Sequence, residues 1–280
     1  PSKNVAEVAK NKGINVLTEF FDQPLAEGIL KKYQKADAIL SANVMCHIPY
    51  MHSIYDGVKT LLKDDGVFIF EDPYLGEIID KTSFDQIYDE HVFLFSALSI
   101  SHLADMHDLE LINVEAQITH GGSMRYTLAH KGMKTVSQNV INLIDQEKKL
   151  ELDNNNSYQG FADSVNKIRD DLMTLLINLK AQGKKVVGYG ATSKSTTVTN
   201  YFGITPDLVE SIYDTTPIKH NKLSPGVHIP VLPYEGFQES NPDYVLLFAW
   251  NHAKEIMKKE QDFMSNNKYW ITYIPKVKVV

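Results

Sequence analysis

Apolar and polar positions in the first half of the chain alternate between two periods. Residues 2–9, Ser-Lys-Asn-Val-Ala-Glu-Val-Ala, have helical spacing and predict an amphipathic opening helix with Pro1 near its first turn. Ile14-Asn15-Val16-Leu17 reads as a short strand, residues 25–33 as a helix and residues 36–42 as a buried strand. A helix over 51–62, closed by Asp65-Gly66, leads to the strand Val67-Phe68-Ile69-Phe70-Glu71. Nearly continuous apolar strands separated by helices predict a parallel sheet covered on both faces. A further helix over 99–107 precedes strands over 109–114 and 123–130, with His120-Gly121-Gly122 as the turn of an antiparallel hairpin.

Residues 135–181 are polar and helical, broken at 153–156, and read as two bridging helices. Lys184-Lys185-Val186-Val187-Gly188-Tyr189-Gly190 then opens a second α/β unit, with later strands expected over 208–213, 244–248 and 270–274. The expected organisation is two α/β domains, with the seam somewhere in this helical bridge on either side of Asp153. Helices like the opening one usually follow a strand, so the start reads as a fragment of a longer chain.

Composition narrows the function classes. Hydrophobic residues make up 43% and charged residues 22% of the 280 positions, an ordinary globular balance. The net charge of −7 argues against a nucleic-acid surface, which needs clustered Lys and Arg. No apolar run approaches the ~18–20 residues of a membrane span, and no secretory leader is visible; the cytoplasm is the expected location. The single Cys46 excludes an internal disulfide and a multi-cysteine zinc site within these residues, and no metal site is expected.

Candidate chemistry gathers at predicted strand ends, where open α/β sheets bind ligands. Asn43 and His47 follow the 36–42 strand and suit a cofactor's polar edge and pocket wall, or else a buried polar turn. Glu71-Asp72-Pro73-Tyr74 ends the next strand. In Tyr88-Asp89-Glu90-His91, the tyrosine and histidine share a face if the turn is helical, whereas Glu90 points elsewhere. A histidine near its ordinary pKa of ~6.5 is a natural base. A tyrosyl hydroxyl can donate to a developing enolate oxygen, and a carboxylate can orient the imidazole. An acidic surface turn is the alternative, weakened by the apolar neighbours Val92-Phe93-Leu94-Phe95. His120 and Arg125 sit in and beside the glycine turn. Gly188-Tyr189-Gly190-Ala191-Thr192-Ser193-Lys194 follows a strand and opens a helix, as a phosphate cradle requires, although Ser193 stands where the dinucleotide fingerprint has its third glycine. Asp214, Lys219, Asn221 and Trp250-Asn251-His252 follow later strands and converge with Lys194 if that sheet is parallel.

Together these segments resemble the S-adenosylmethionine-dependent C-methyltransferases that act on nucleotide-activated 4-keto deoxyhexoses. The resemblance runs through residues 43–49, 71–76, 84–95, 120–127, 188–200, 213–230 and 248–256. It implies that His91 is the general base, with Tyr88 and Glu90 as neighbours, acting at C-3 of a dTDP-sugar. It also implies a partial Rossmann-like methyltransferase sheet over 1–134, followed by a helical linker and a second Rossmann-like α/β domain over 135–280. Asn43 and His47 are then expected beside S-adenosylmethionine, Lys194, Asp214, Lys219 and Asn221 beside the nucleotide diphosphate, and Tyr189 among the substrate-binding residues. His120 and Arg125 are expected to serve the sugar pocket. Family members carry an N-terminal zinc module, and the expected zinc belongs to that module alone. The glycine-rich cofactor loop and the acidic residue of the second strand are also expected outside these residues. A nicotinamide-dependent nucleotide-sugar oxidoreductase or epimerase is the alternative. The imperfect glycine turn and the lack of an acidic ribose partner at a fixed distance count against it. A non-catalytic nucleotide-sugar-binding fragment is the third reading.

Overall fold

The computed structural model describes residues 2–264 and 268–280. Pro1, expected near the first helical turn, lies outside the described residues. The chain divides into two interleaved units, Pro1–Tyr74 with Val92–Asp153, and Leu75–His91 with Asn154–Val280. Among the described residues no helix is long and apolar enough to cross a membrane.

In chain order the first unit contains α1 (Lys3–Asn11), α2 (Gln23–Leu30), β1 (Ala36–Ala42), α3 (Met51–Leu61) and β2 (Leu62–Pro73). The short α4 (Leu75–Asp80) goes with the second unit, after which α5 (Ala97–Asp105), β3 (Leu109–Gln117), β4 (Ser123–His130) and α6 (Gln138–Lys149) return to the first. The sheet order is β1-β2-β4-β3, with β1 parallel to β2 and the remaining pairs antiparallel. Helix starts follow the polar residues that precede them. Asp22 accepts from the Leu25 amide to cap α2, and Ser96 and Ser99 form a reciprocal capping box on α5. Phe68, Phe70, Tyr126, Leu111, Ile54 and Tyr55 fill the core between sheet and helices.

The second unit continues with α7 (Asn155–Ala181), β5 (Val186–Tyr189), α8 (Ser193–Phe202), β6 (Ile212–Asp214), β7 (Lys222–Leu223), β8 (Pro230–Pro233), α9 (Gly236–Glu239), β9 (Tyr244–Leu247), α10 (Ala253–Lys259), α11 (Gln261–Met264), β10 (Tyr269–Thr272) and β11 (Lys278–Val279). Its sheet runs β11-β10-β9-β5-β6-β8-β7, parallel from β10 through β8 with antiparallel edges. Val165, Ile168, Leu172, Leu176 and Leu179 recur at helical spacing along α7 and form its buried stripe.

Four expectations differ from this architecture. The strand over 36–42 forms but is not buried: none of its residues is in the buried class, and Leu40 is 73% exposed. Ile14-Asn15-Val16-Leu17 is not a strand, because it has no ladder partner among the described residues, and Ile14 and Leu17 stand half exposed. Leu208 and Val209 belong to a turn, and only Ile212–Asp214 pairs with β5. The seam expected in the helical bridge on either side of Asp153 falls at Asp153/Asn154, so α6, with Val140 in the first unit's core, goes with the first unit and not with the span 135–280, while Phe84 joins the second unit's core.

Candidate functional site

In the first unit, β1 ends at Asn43. Its amide donates to the Glu71 carbonyl at 2.7 Å, and its backbone takes a left-handed φ of 53°, which asparagine tolerates better than most residues. Its Oδ1 is buried and has no hydrogen-bond partner within the protein. A buried acceptor left unpaired costs about 1–3 kcal/mol, so the position suits a donor on a ligand. Open α/β sheets bind ligands at such a strand's carboxyl end. His47 closes the one-turn helix Met45–His47 that follows. Behind it Asp72 is fully buried and accepts from the Cys46 amide at 3.4 Å, while burial and the Asp72 charge push the Cys46 thiol up.

Arg125 faces Glu71 across β2 and β4 and donates to its Oε2 at 3.0 Å, with Glu115 at 3.5 Å on the other side. Thr119, in the hairpin turn, donates to the second Glu71 oxygen at 2.8 Å. Arg125 is thus held within the strands, beside a shallow groove bounded by Leu40, Ser41 and Ala42. His120 stands exposed in the turn with φ 54°.

In the second unit, residues 84–91 carry the expected base. A buried one-turn helix, Phe84–Gln86, leads to a turn closed by the His91 amide on the Tyr88 carbonyl at 2.9 Å. The Tyr88 and His91 rings lie 4.0 Å apart, so the two side chains share a face without a full helix. His91 Nδ1 is 2.8 Å from the Gln86 carbonyl oxygen. A carbonyl only accepts, so Nδ1 carries a proton, and whenever the ring is neutral its lone pair is then on Nε2. A backbone carbonyl thus stands at Nδ1. Glu90 is exposed in the same turn.

A cavity of about 440 Å³ opens at the carboxyl ends of β5, β6 and β9, lined among others by Tyr189, Gly190, Asp214, Thr216, Lys219 and Lys259. Gly190 has φ 90°, and a Cβ there would meet the Ala249 Cβ at 3.2 Å, so the turn is glycine for two reasons. Asp214 ends β6 and binds this turn. Its Oδ2 accepts from the Ala191 amide at 2.7 Å and its Oδ1 from the Thr216 amide at 2.7 Å. Lys219 donates to the Ala191 carbonyl at 2.8 Å and lies 3.6 Å from Asp214. Burial alone would raise the Asp214 carboxyl. The hydrogen bonds from Thr216 and Ala191 and the Lys219 charge outweigh it and hold the group below the usual carboxylate range. An acidic residue at the end of the second strand of this unit thus stands beside the glycine turn, where no acidic ribose partner at a fixed distance was expected. Tyr189 donates to Glu260 at 3.1 Å, and burial and that carboxylate push its phenol up.

Tyr189, Asp214 and Lys219 are thus brought together, whereas two expected partners are not. Lys194 is buried away from the cavity lining, 4.4 Å over the Trp250 ring and 3.3 Å from Asn251 Oδ1. Asn221 is exposed, with its amide on the Val231 carbonyl at 2.8 Å. Tyr234 and Lys259, stacked at 3.7 Å, line the cavity without having been singled out. The signal for Tyr234 was its place just after a short Pro-bounded strand; Lys259 had none.

Comparison with known proteins places both halves. Residues 1–114 match a methyltransferase domain family, and residues 118–275 match the C-methyltransferase C-terminal domain family. The chain is 32% identical over 281 aligned positions to the C-methyltransferase NovU of Streptomyces niveus, an alignment covering all of this chain and 67% of that protein. Solved structures overlap with it in part. A SAM-dependent methyltransferase from Anabaena variabilis ATCC 29413 has a TM-score of 0.36 at 16% identity over 46% of this chain and 65% of that one. A DhpI–SAH complex gives 0.30 at 16% over 46% and 61%. The PH0226 protein of Pyrococcus horikoshii OT3 gives 0.30 at 17% over 46% and 66%. The chain spans just under two thirds of those solved chains. With a family match over more than half its length and a relative aligned from end to end, the chain belongs to the C-methyltransferase family.

Proposed function

We propose that the chain methylates C-3 of a dTDP-4-keto-deoxyhexose, using S-adenosylmethionine as donor and His91 as general base. The observation that carries this reading is the His91 imidazole, packed at a tilt on the Tyr88 ring and holding its proton at Nδ1 against the Gln86 carbonyl. In that state Nε2 is the basic nitrogen, as removal of a proton beside a ketone requires. The C-4 carbonyl acidifies the C-3 hydrogen, His91 Nε2 takes it, and the Tyr88 hydroxyl donates to the oxygen as enolate charge develops. A positioned base contributes ~10²–10⁴-fold, and orientation and electrostatics supply the remainder. S-adenosylmethionine, when bound, supplies an electrophilic methyl group. Asn43 and His47 would hold it, with the unpaired Asn43 Oδ1 taking a ligand donor. Tyr189, Asp214 and Lys219 would hold the nucleotide. There Lys219 suits the diphosphate, and Asp214, as an anion, suits a sugar hydroxyl rather than a phosphate.

Proton abstraction can be tested without the methyl donor. The chain is mixed with a dTDP-4-keto-6-deoxyhexose in D₂O, and deuterium entering C-3 is followed by NMR. Enzyme-dependent exchange that His91→Gln lowers by about 100-fold or more supports the base assignment; exchange unchanged by the substitution sinks it. Asp214 beside the glycine turn also suits a nicotinamide ribose, and this observation favours the oxidoreductase alternative. Turnover followed by absorbance near 340 nm would reveal that chemistry.

A further inference from the structure

We infer that Asp85 is a positioning residue, whose clamp on Trp250 and Tyr273 fixes the Gln86 carbonyl that selects the His91 tautomer. The inference rests on the base assignment of His91. Asp85 lies in the one-turn helix Phe84–Gln86, which is too short to be held by a hydrogen-bond ladder of its own. Its side chain supplies the anchor. Asp85 is fully buried, and its Oδ2 accepts from the Trp250 indole at 2.7 Å and the Tyr273 hydroxyl at 2.6 Å. Trp250 follows β9 and Tyr273 follows β10, so the turn is tied to the ends of two adjacent parallel strands. The Phe84 ring adds an apolar anchor, 5.0 Å from Phe202.

The next residue carries the consequence. Gln86 is buried, its amide donates to the Ser83 carbonyl at 3.1 Å and its side chain to Ser83 Oγ at 3.0 Å. The Asp85–Gln86 peptide is planar and stiff, so fixing Asp85 restricts the path of the Gln86 backbone. The Gln86 carbonyl is the group that meets His91 Nδ1. In free histidine the opposite tautomer, with the proton on Nε2, predominates. That form would present a donor where the reaction needs an acceptor. The carbonyl must therefore stand firmly at Nδ1, and an imidazole held this way depends on its partner's position.

The cost of the arrangement points the same way. A buried carboxylate carries a desolvation penalty, and Asp85 Oδ1 has no hydrogen-bond partner within the protein. Burial pushes its carboxyl up, against the Lys194 charge and the two hydrogen bonds, so the site retains a group that apolar packing would replace more cheaply.

The test reads the tautomer directly. Long-range ¹H–¹⁵N correlation of histidine-labelled protein separates the Nδ1–H from the Nε2–H form, and His91→Gln assigns the signal. In the wild type His91 is expected as Nδ1–H. Asp85→Ala should move it toward the Nε2–H form and slow deuterium exchange at C-3 by about 10-fold or more, with KM for the sugar nucleotide changed by less than ~3-fold. Asp85→Asn keeps an acceptor for both donors and should restore the tautomer and most of the exchange. An unchanged tautomer in Asp85→Ala overturns the inference, whether or not exchange slows. Should Asp85→Ala fail to fold, Tyr273→Phe and Trp250→Phe each delete one donor, and the same tautomer reading decides. Undiminished exchange in His91→Gln would defeat the base assignment while leaving a tautomer shift in Asp85→Ala standing, so the two failures are told apart.

Discussion

Replacing Asp214 by Asn changes one atom of the group that ties the glycine turn to the loop after β6. The carboxylate accepts two amide hydrogens at 2.7 Å, one on each oxygen. A carboxamide can serve only one of them as acceptor and must turn its NH₂ toward the other. Hydrogen bonds to charged groups contribute about 1.5–3 kcal/mol each and neutral ones about 0.5–1.5 kcal/mol. Losing one charged bond and weakening the second should destabilise this unit by about 2–4 kcal/mol. Both tryptophans, Trp250 and Trp270, lie in the same unit, so urea unfolding followed by tryptophan fluorescence reports the effect where it occurs. The pH dependence adds a second reading. The Asp214 carboxyl is held below the usual range, so it binds fewer protons folded than unfolded. Its stabilisation is therefore complete above the unfolded-state value of ~3.9 and is lost as pH falls through the lower folded value. Asp214→Asn should flatten that acid limb. An unchanged urea midpoint together with an unchanged acid limb would refute the reasoning.

Two further changes probe the first unit. Glu147 is fully buried and accepts from the Ala97 amide at 2.7 Å, the Leu98 amide at 2.8 Å and the Tyr74 hydroxyl at 2.9 Å. Glu147→Ala strands these donors and should cost about 3–5 kcal/mol, visible as an early far-UV circular-dichroism transition on urea titration. Asn43→Gly keeps the left-handed backbone but removes the amide. It should lower S-adenosylhomocysteine affinity by about 5- to 30-fold in calorimetry, with the unfolding midpoint little changed.

The elements with the strongest patterns were readable from the residues. The two bridging helices broken at 153–156, the buried run Val186–Tyr189 and the hairpin at His120-Gly121-Gly122 all stand where polarity, apolar runs and glycine placed them. What failed depended on partners distant in sequence. Ile14-Asn15-Val16-Leu17 has strand composition, yet a strand exists only through pairing, which composition does not encode. The ends of the two units were equally hidden. The turn at Phe84–Gln86 belongs with Trp250 and Tyr273, far along the chain, and nothing local to Asp85 announces them. At the site, residue types were legible and directions were not. Spacing brings Tyr88 and His91 together, but only the folded turn shows that the Gln86 carbonyl stands at Nδ1.

Lys194 shows how a cation at a glycine turn can be drawn away from the ligand it resembles a partner for. By position in the sequence it suits a diphosphate at the start of α8. Its ammonium instead lies over the Trp250 ring and beside Asn251, at 9% exposure, and outside the lining of the cavity that holds Lys219. Burial pulls its pKa below the usual lysine range, while the charge of Asp85 opposes that shift. The two roles predict opposite outcomes for Lys194→Met, which keeps most of the stem and removes the charge. A phosphate ligand would lose about 1.5–3 kcal/mol of binding, a 10- to 150-fold weaker dTDP affinity, with folding barely altered. A structural cation would leave dTDP affinity within about threefold, but cost about 1–3 kcal/mol of stability through the lost cation–π contact and the weakened support of Asp85. The buried geometry favours the second outcome, measured by dTDP calorimetry alongside urea unfolding. A tenfold loss of dTDP affinity at an unchanged unfolding midpoint would return Lys194 to the diphosphate and require its side chain to swing out of the Asp85–Trp250 cluster on binding.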